Sequence, residues 1–342
     1  MDSRQSKQFA TMSFVSAILI VALHSLGVGN DNCCFRWLYR FVHDGLCLVA
    51  IPWFFFASGF FAAGHIHEEG WWRRAIFKRV RTLLVPFWVW SMVCFAFYVS
   101  IAVIIHQVGY DFKGEDALEM LSLKGLLRVL GLDWYDTMNT MWYLRTLFVF
   151  VCLSPILLQL RLAGIAVLFL FSCLFYVYPP NNADLLQLGN NLLSVRGLFY
   201  FSFGLWCRSI NFDLNSIPMK LTGGLSLLLC CANMICIEAG NGFRWFGVLQ
   251  LLPLMIFVFQ VCCYFKIRND WLSLSFPIYV IHMMIVFLIT GIYAVCGIGG
   301  YENMTFIKGL IRFGVSVILA AAIGKLIKAY FPMIAKVVFG GR

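Results

Sequence analysis

Charge is what this sequence has least of. Asp, Glu, Lys and Arg together make up 12% of the 342 residues, against 61% hydrophobic, and the mean hydropathy is +0.84. A soluble chain of this length cannot cover so much apolar surface. Soluble classes therefore drop out, and a polytopic helical membrane protein remains. Acids are scarcer than bases, 16 against 26, which leaves a net charge of +10. That balance invites a nucleic-acid reading, but the cations stand between apolar runs, where topology accounts for them. No nucleic-acid partner is expected.

Other absences narrow the class further. The apolar runs do not alternate with polar residues, which in practice excludes a β-barrel. The 13 cysteines contain no C-x-x-C spacing, so zinc and redox motifs have no support. Most of them lie inside apolar runs as small buried hydrophobes, and Cys33 and Cys34, in a loop, leave a disulfide open. There is no internal repeat, low-complexity tract or appended soluble domain. The two-repeat architecture of many transporters is therefore not visible, and 1–342 reads as one integral-membrane domain. Arg4 and Lys7 precede the first apolar run without a small-residue cleavage pattern after it, as in an uncleaved first span.

What is present is a series of apolar segments near the roughly 20 residues that cross a bilayer. They cover 9–28, 45–64, 83–105, 141–160, 162–178, 195–207, 221–237, 245–265, 272–293 and 306–329. The sixth is short and has room to borrow from 185–194. The expected fold is all-α, a bundle of about ten transmembrane helices. With the N-terminus inside and alternating spans, most of the 26 lysines and arginines fall on the cytoplasmic side. That bias predicts both termini in the cytoplasm. Arg145, Arg196 and Arg312 fall within spans. The outer stretch 107–140 carries an amphipathic run expected to lie at the interface as a helix, and 179–194 is a polar loop.

Several residues are candidates for chemistry. His24 closes the first span. A histidine in an apolar helix is costly and a functional candidate; its plain alternative is a rim histidine bonded to a neighbour or water. Neutral imidazole can take a proton from an alcohol, the general-base role. Arg145 either snorkels or faces an internal polar cavity. His282, with Tyr279, sits at mid-span, where a partner inside the bundle is expected. Between the second and third segments Arg73, Arg74, Lys78, Arg79 and Arg81 form a basic turn. Topology alone explains cations there, yet five within 73–81 exceed what orientation requires and would also hold the phosphates of a nucleotide-bearing donor. His65, His67, Glu68 and Glu69 before it read as solvated loop rather than a metal site. On the opposite side Trp134, Asp136, Asn139 and Trp142 offer aromatic faces and carboxylate for a sugar, or an ordinary interfacial belt.

In this order, VALHS, IPWFFFASGFFAAG, KRVRTLLVPFWVWS, MWYLRTLFVFVCLSPIL and SFPIYVIHMMI resemble the acyltransferase 3 family of bacterial membrane acyltransferases. The resemblance covers nearly the whole chain. It implies a ten-helix membrane core that moves an acyl group, acetyl by expectation, from cytoplasmic acyl-CoA to a hydroxyl of an extracytoplasmic carbohydrate. No permanently bound cofactor is implied; acyl-CoA is the donor substrate. By position His24 is the family's first-span base, and Lys78 and Arg81 fall on its R-x-x-R pair, with lysine in the first place. In the family's R-x10-H pattern the arginine position here is Ser13. The implied setting is the cytoplasmic membrane, with other glycan-synthesis proteins as possible neighbours. The rival reading is a transporter or flippase of a glycan or lipid-linked intermediate, in which His24, Arg145 and His282 bind or relay protons.

Overall fold

The computed structural model describes residues 3–27, 33–65, 68–107, 122–130, 141–177, 194–240, 245–297 and 304–341. Among these there is no β-strand. The helices in order are α1 (Ser3–Ser25), α2 (Cys33–Arg40), α3 (Ala50–Ala62), α4 (Trp71–Arg79), α5 (Val85–Gln107), α6 (Leu123–Val129), α7 (Trp142–Leu157), α8 (Leu162–Val177) and α9 (Val195–Ser209). They continue with α10 (Met219–Glu238), α11 (Trp245–Leu249), α12 (Leu251–Val261), α13 (Asn269–Leu272), α14 (Ser275–Val295), α15 (Phe306–Tyr330) and α16 (Pro332–Val338). All-helical structure is what a bilayer demands, because each segment must satisfy its own backbone.

Among the described residues seven helical stretches are long and apolar enough to cross a membrane: Ser3–Ser25, Cys34–Ala62, Trp71–Phe97, Met219–Glu238, Phe246–Tyr264, Ser275–Val295 and Phe306–Tyr330. The remaining expected spans correspond to α7 and α8, of 16 residues each, and α9, of 15. At 1.5 Å per residue these reach only about 22–24 Å, short of the hydrocarbon thickness of about 30 Å. The sixth span starts at Val195, and residues 185–193, from which it had room to borrow, lie outside the described residues. Ser194 is its N-cap, with the side-chain oxygen accepting from the Gly197 N–H at 3.2 Å.

The centre of the bundle is α1, packed against α3, α12, α14 and α15. Phe9, Trp53, Phe56, Phe60 and Phe259 interlock there, with ring centroids 4.9–6.5 Å from Phe9. The tightest helix pair is α3 with α9. A Cβ on Gly59 would fall on the Phe201 carbonyl, and one on Gly204 on the Phe56 carbonyl. Small residues permit such approach, and dispersion at short range replaces the hydrophobic drive that lipid cannot supply. By contrast, α10 and α15 leave most of their surface outward, as lipid-facing helices do.

One expectation needs correction. The basic stretch is not a loop. It forms α4, runs through a π-helical turn at Val80–Leu84 and continues as α5. No glycine or proline interrupts it before Pro86, and Arg and Lys are good helix formers. The break falls earlier, at Gly70, whose φ of +67° suits a residue without Cβ. The Trp72 indole donates to the Cys152 carbonyl at 3.0 Å, so α4 lies along α7. On the disulfide that the sequence left open, Cys34 is a free thiol. Of the amphipathic outer run, Leu123–Val129 is helical; its residues outside 122–130 lie outside the described residues.

Candidate active site

His24 occupies the last turn of α1, half-buried. The final carbonyls of a helix have no intrahelical partner. Here the last two, of His24 and Ser25, are taken by Arg312 of α15, which is 1% exposed. Its Nε and Nη2 donate to the Ser25 carbonyl at 2.9 and 2.6 Å, and Nη2 reaches the His24 carbonyl at 3.3 Å. Nη1 donates to Thr290 Oγ1 of α14 at 2.7 Å. A cation at this end also meets the negative pole of the α1 dipole. Gly309, one turn before Arg312, makes the approach feasible: a Cβ there would stand 2.9 Å from the Gly27 nitrogen and 3.0 Å from Leu26 Cα. One guanidinium thus ties the histidine-bearing end of α1 to α14 and α15.

The partner of His24 is His282, on α14, with ring centroids 5.6 Å apart. His282 is fully buried. Its Nδ1 lies 2.6 Å from the Tyr279 carbonyl. A carbonyl oxygen only accepts, so Nδ1 carries the proton and Nε2 presents a lone pair. Among the described residues Nε2 has no hydrogen-bond partner. A buried imidazole nitrogen with an open lone pair beside a second histidine is a site able to accept a hydrogen bond.

One turn before His282, Tyr279 closes a cavity of about 260 Å³. Ser13, Phe54, Ser58, Arg79 and Tyr143 also line it. Ser13, at the arginine position of the resembled pattern, is not free: its hydroxyl accepts from the Trp53 indole at 3.1 Å. The cation in this cavity comes instead from Arg79, at the end of α4. From Ser13 to His24 is three turns of α1, about 16 Å. The cavity and the histidine pair are therefore stacked along one axis, with Tyr279 of α14 at the cavity and His282, one turn on, in the pair.

The other cations of the stretch divide by environment. Arg73 lies over the Phe77 ring, its guanidinium carbon 5.9 Å from the centroid, and is exposed. Arg74 pairs with Glu68 at 2.8 Å and donates to the Glu69 carbonyl. Lys78 and Arg81 are exposed. Arg145 is 6% exposed in a buried turn of α7 next to the cavity-lining Tyr143 and Leu144, so it does not snorkel. Trp142 is half-buried and packs edge-on against Tyr143, with centroids 6.5 Å apart. Trp134, Asp136 and Asn139 lie outside the described residues, as does His67. No group of three or more His, Cys, Asp or Glu able to hold a metal occurs among the described residues.

Sequence reasoning placed Arg312 in a span without a role and passed over Gly309, His43 and Asp44. Arg312 was visible as an arginine inside an apolar span, and its spacing of three from Gly309 put both on one face. Nothing in the sequence said which helix that face meets.

The family model described as an acyltransferase domain matches residues 12–325, from the middle of α1 to near the end of α15. No curated protein and no solved structure matches the chain. The matched stretch contains His24, the Arg79 cavity, His282 and Arg312, and the match supports an acyltransferase-type activity. The chain belongs to the acyltransferase 3 family, as an all-α membrane protein.

Proposed function

We propose that this protein is a membrane O-acyltransferase, moving an acyl group, acetyl by expectation, from cytoplasmic acyl-CoA to a hydroxyl of an extracytoplasmic carbohydrate. The observation that carries this reading is the stacking of the Arg79 cavity beneath the His24–His282 contact. Exposed Arg73, Lys78 and Arg81 offer phosphate contacts on one side of the cavity, while Arg74 is already engaged by Glu68. Arg79 meets the donor deeper, where a guanidinium among neutral side chains acts at low dielectric.

In the transfer step His24 removes the hydroxyl proton as the acceptor oxygen attacks the thioester carbonyl. The carbon–sulfur bond breaks, and the proton passes to the departing thiolate. His282 stabilises the protonated intermediate state through its Nε2 lone pair. Arg145, a buried cation on α7, would offset negative charge on the carbonyl oxygen, while Arg79 holds the donor in the cavity. Carbohydrate approaches from the His24 end, with Trp142 and the stretch holding Trp134, Asp136 and Asn139 as its expected contacts. The setting is the cytoplasmic membrane with both termini inside, and other glycan-synthesis proteins are the expected neighbours.

The test is release of CoA from acetyl-CoA by the purified full chain in vesicles, alone and with a panel of 4-nitrophenyl glycosides. His24→Ala lowers acetyl transfer about 100- to 10,000-fold, and His24→Gln does not rescue it, because an amide cannot take the proton. A His24→Ala protein that transfers at the wild-type rate removes His24 as the base. A wild type that carries glycosides across the vesicle without acylating them replaces the enzyme by a transporter.

A further inference from the structure

The segment after α2 holds a second histidine, with a carboxylate attached. Residues Phe41–Gly45 form a π-helical turn, and such turns recur at functional sites. Side chains one residue apart do not face each other on an ordinary α-helix. Here His43 Nδ1 and Asp44 Oδ1 meet at 2.7 Å. The ring of Tyr39, one turn back, stacks on His43 with centroids 4.7 Å apart and planes at 16°. Among the described residues neither His43 Nε2 nor the second Asp44 oxygen has a hydrogen-bond partner. The side chains of His43 and Asp44 are 24% and 29% exposed, so both remain reachable.

This group is held in place from three sides. Arg40 pairs with Glu238 of α10 at 3.1 Å. Phe35 stacks on Phe306 of α15 at 5.7 Å. Gln250, between α11 and α12, donates to the Asp44 carbonyl at 3.0 Å. His43 also stands within electrostatic reach of His24. The group therefore lies at the His24 end of the bundle, away from the Arg79 cavity.

We propose that Tyr39, His43 and Asp44 form the subsite that receives the acceptor, a ligand with adjacent hydroxyl groups on a ring. The free carboxylate oxygen accepts from one hydroxyl, the open imidazole nitrogen bonds a second, and the aromatic edge flanks the ring's apolar face. Donor and acceptor then reach the His24–His282 pair from opposite ends, and neither blocks the other's path. The proposal rests on the acyltransferase reading for the reaction, but not for the binding itself.

Two measurements on the full chain in vesicles separate these dependences: equilibrium binding of 4-nitrophenyl glycosides, and acetyl transfer to them from acetyl-CoA. Asp44→Asn and His43→Gln keep the fold, because the anchoring bond from Gln250 goes to backbone. Each raises the acceptor KM and the glycoside Kd about 10- to 100-fold, the loss of one charge-assisted hydrogen bond, and changes the KM for acetyl-CoA far less. Wild-type glycoside binding that both variants lose, in a protein that transfers no acyl group, keeps the subsite and overturns the acyltransferase reading. Wild-type transfer that both variants match in acceptor KM overturns the subsite and leaves the acyltransferase reading standing. A wild type that neither binds nor acylates any glycoside overturns both.

Discussion

Replacing Arg312 by lysine is the sharpest probe of how the His24 end of α1 is held. The guanidinium donates to the Ser25 carbonyl twice, at 2.9 and 2.6 Å, and to Thr290 Oγ1 at 2.7 Å. Lysine keeps the charge but has a compact ammonium that cannot span both partners as a planar fork does. One contact is lost at least, and hydrogen bonds to charged groups are worth about 1.5–3 kcal/mol each. A stability loss of about 1.5–3 kcal/mol is expected, small enough for the protein to fold. Turnover falls more than stability alone explains, because His24 is one residue from the carbonyl that moves. A displacement of about 1 Å near the chemistry costs on the order of 100-fold, so kcat falls about 10- to 100-fold, with the KM for acetyl-CoA nearly unchanged. Thr290→Val, which severs only the tie to α14, gives a smaller loss in the same direction. The assay is kcat for acetyl transfer across pH, with thermal unfolding followed in parallel. A purely structural role lowers the unfolding temperature and leaves the pH profile of kcat in place; a role in aiming His24 alters that profile. If Arg312→Lys and Thr290→Val both keep wild-type kcat and pH profile while stability falls, the clamp holds the fold and does not position the base.

The remaining expectations are narrower. Arg79→Gln raises the KM for acetyl-CoA more than Lys78→Gln with Arg81→Gln does, because Arg79 lines the cavity while the other two are exposed; a larger effect from the exposed pair returns the donor site to the surface. Transfer falls as pH drops through the histidine titration, since protonated imidazole cannot accept a proton; a rate that rises toward acid contradicts a base mechanism. Gly59→Val and Gly204→Val each cost at least about 1–3 kcal/mol, because the added Cβ strikes backbone carbonyl across the α3–α9 contact. Unchanged thermal unfolding in detergent for either variant would show that the two helices sit further apart. Cysteine placed at position 75 on a background cleared of reactive cysteines labels from the cytoplasmic side; labelling solely from outside reverses the orientation and the donor path together.

Much of the architecture followed from composition, because a bilayer leaves so few options. A chain this apolar, with its few charges spaced between runs of about 20 residues, has to be a helical bundle. The rare polar residues were equally readable: His24, His282, Arg145 and Arg312 stand out because each is costly in a span. Their partners were not readable. Helices such as α3 and α14 are apolar on every side, so periodicity does not mark the face that turns inward. That His24 meets His282, or that Arg312 reaches back across the chain to close α1, depends on which faces pack, and small residues such as Gly59, Gly204 and Gly309 decide this at close range. The basic stretch was misjudged for a related reason: its charge spoke for a loop, while its backbone had no breaker between Gly70 and Pro86. The His43–Asp44 contact lay furthest from view. It needs a π-helical turn, whose extra residue per turn leaves no mark in the pattern of side chains. The sequence by itself determined the class, the spans and the polar residues that had to find partners. The tertiary packing alone decided which partners they found, because in lipid it is close contact, rather than the contrast of polar and apolar faces, that fixes the register between helices.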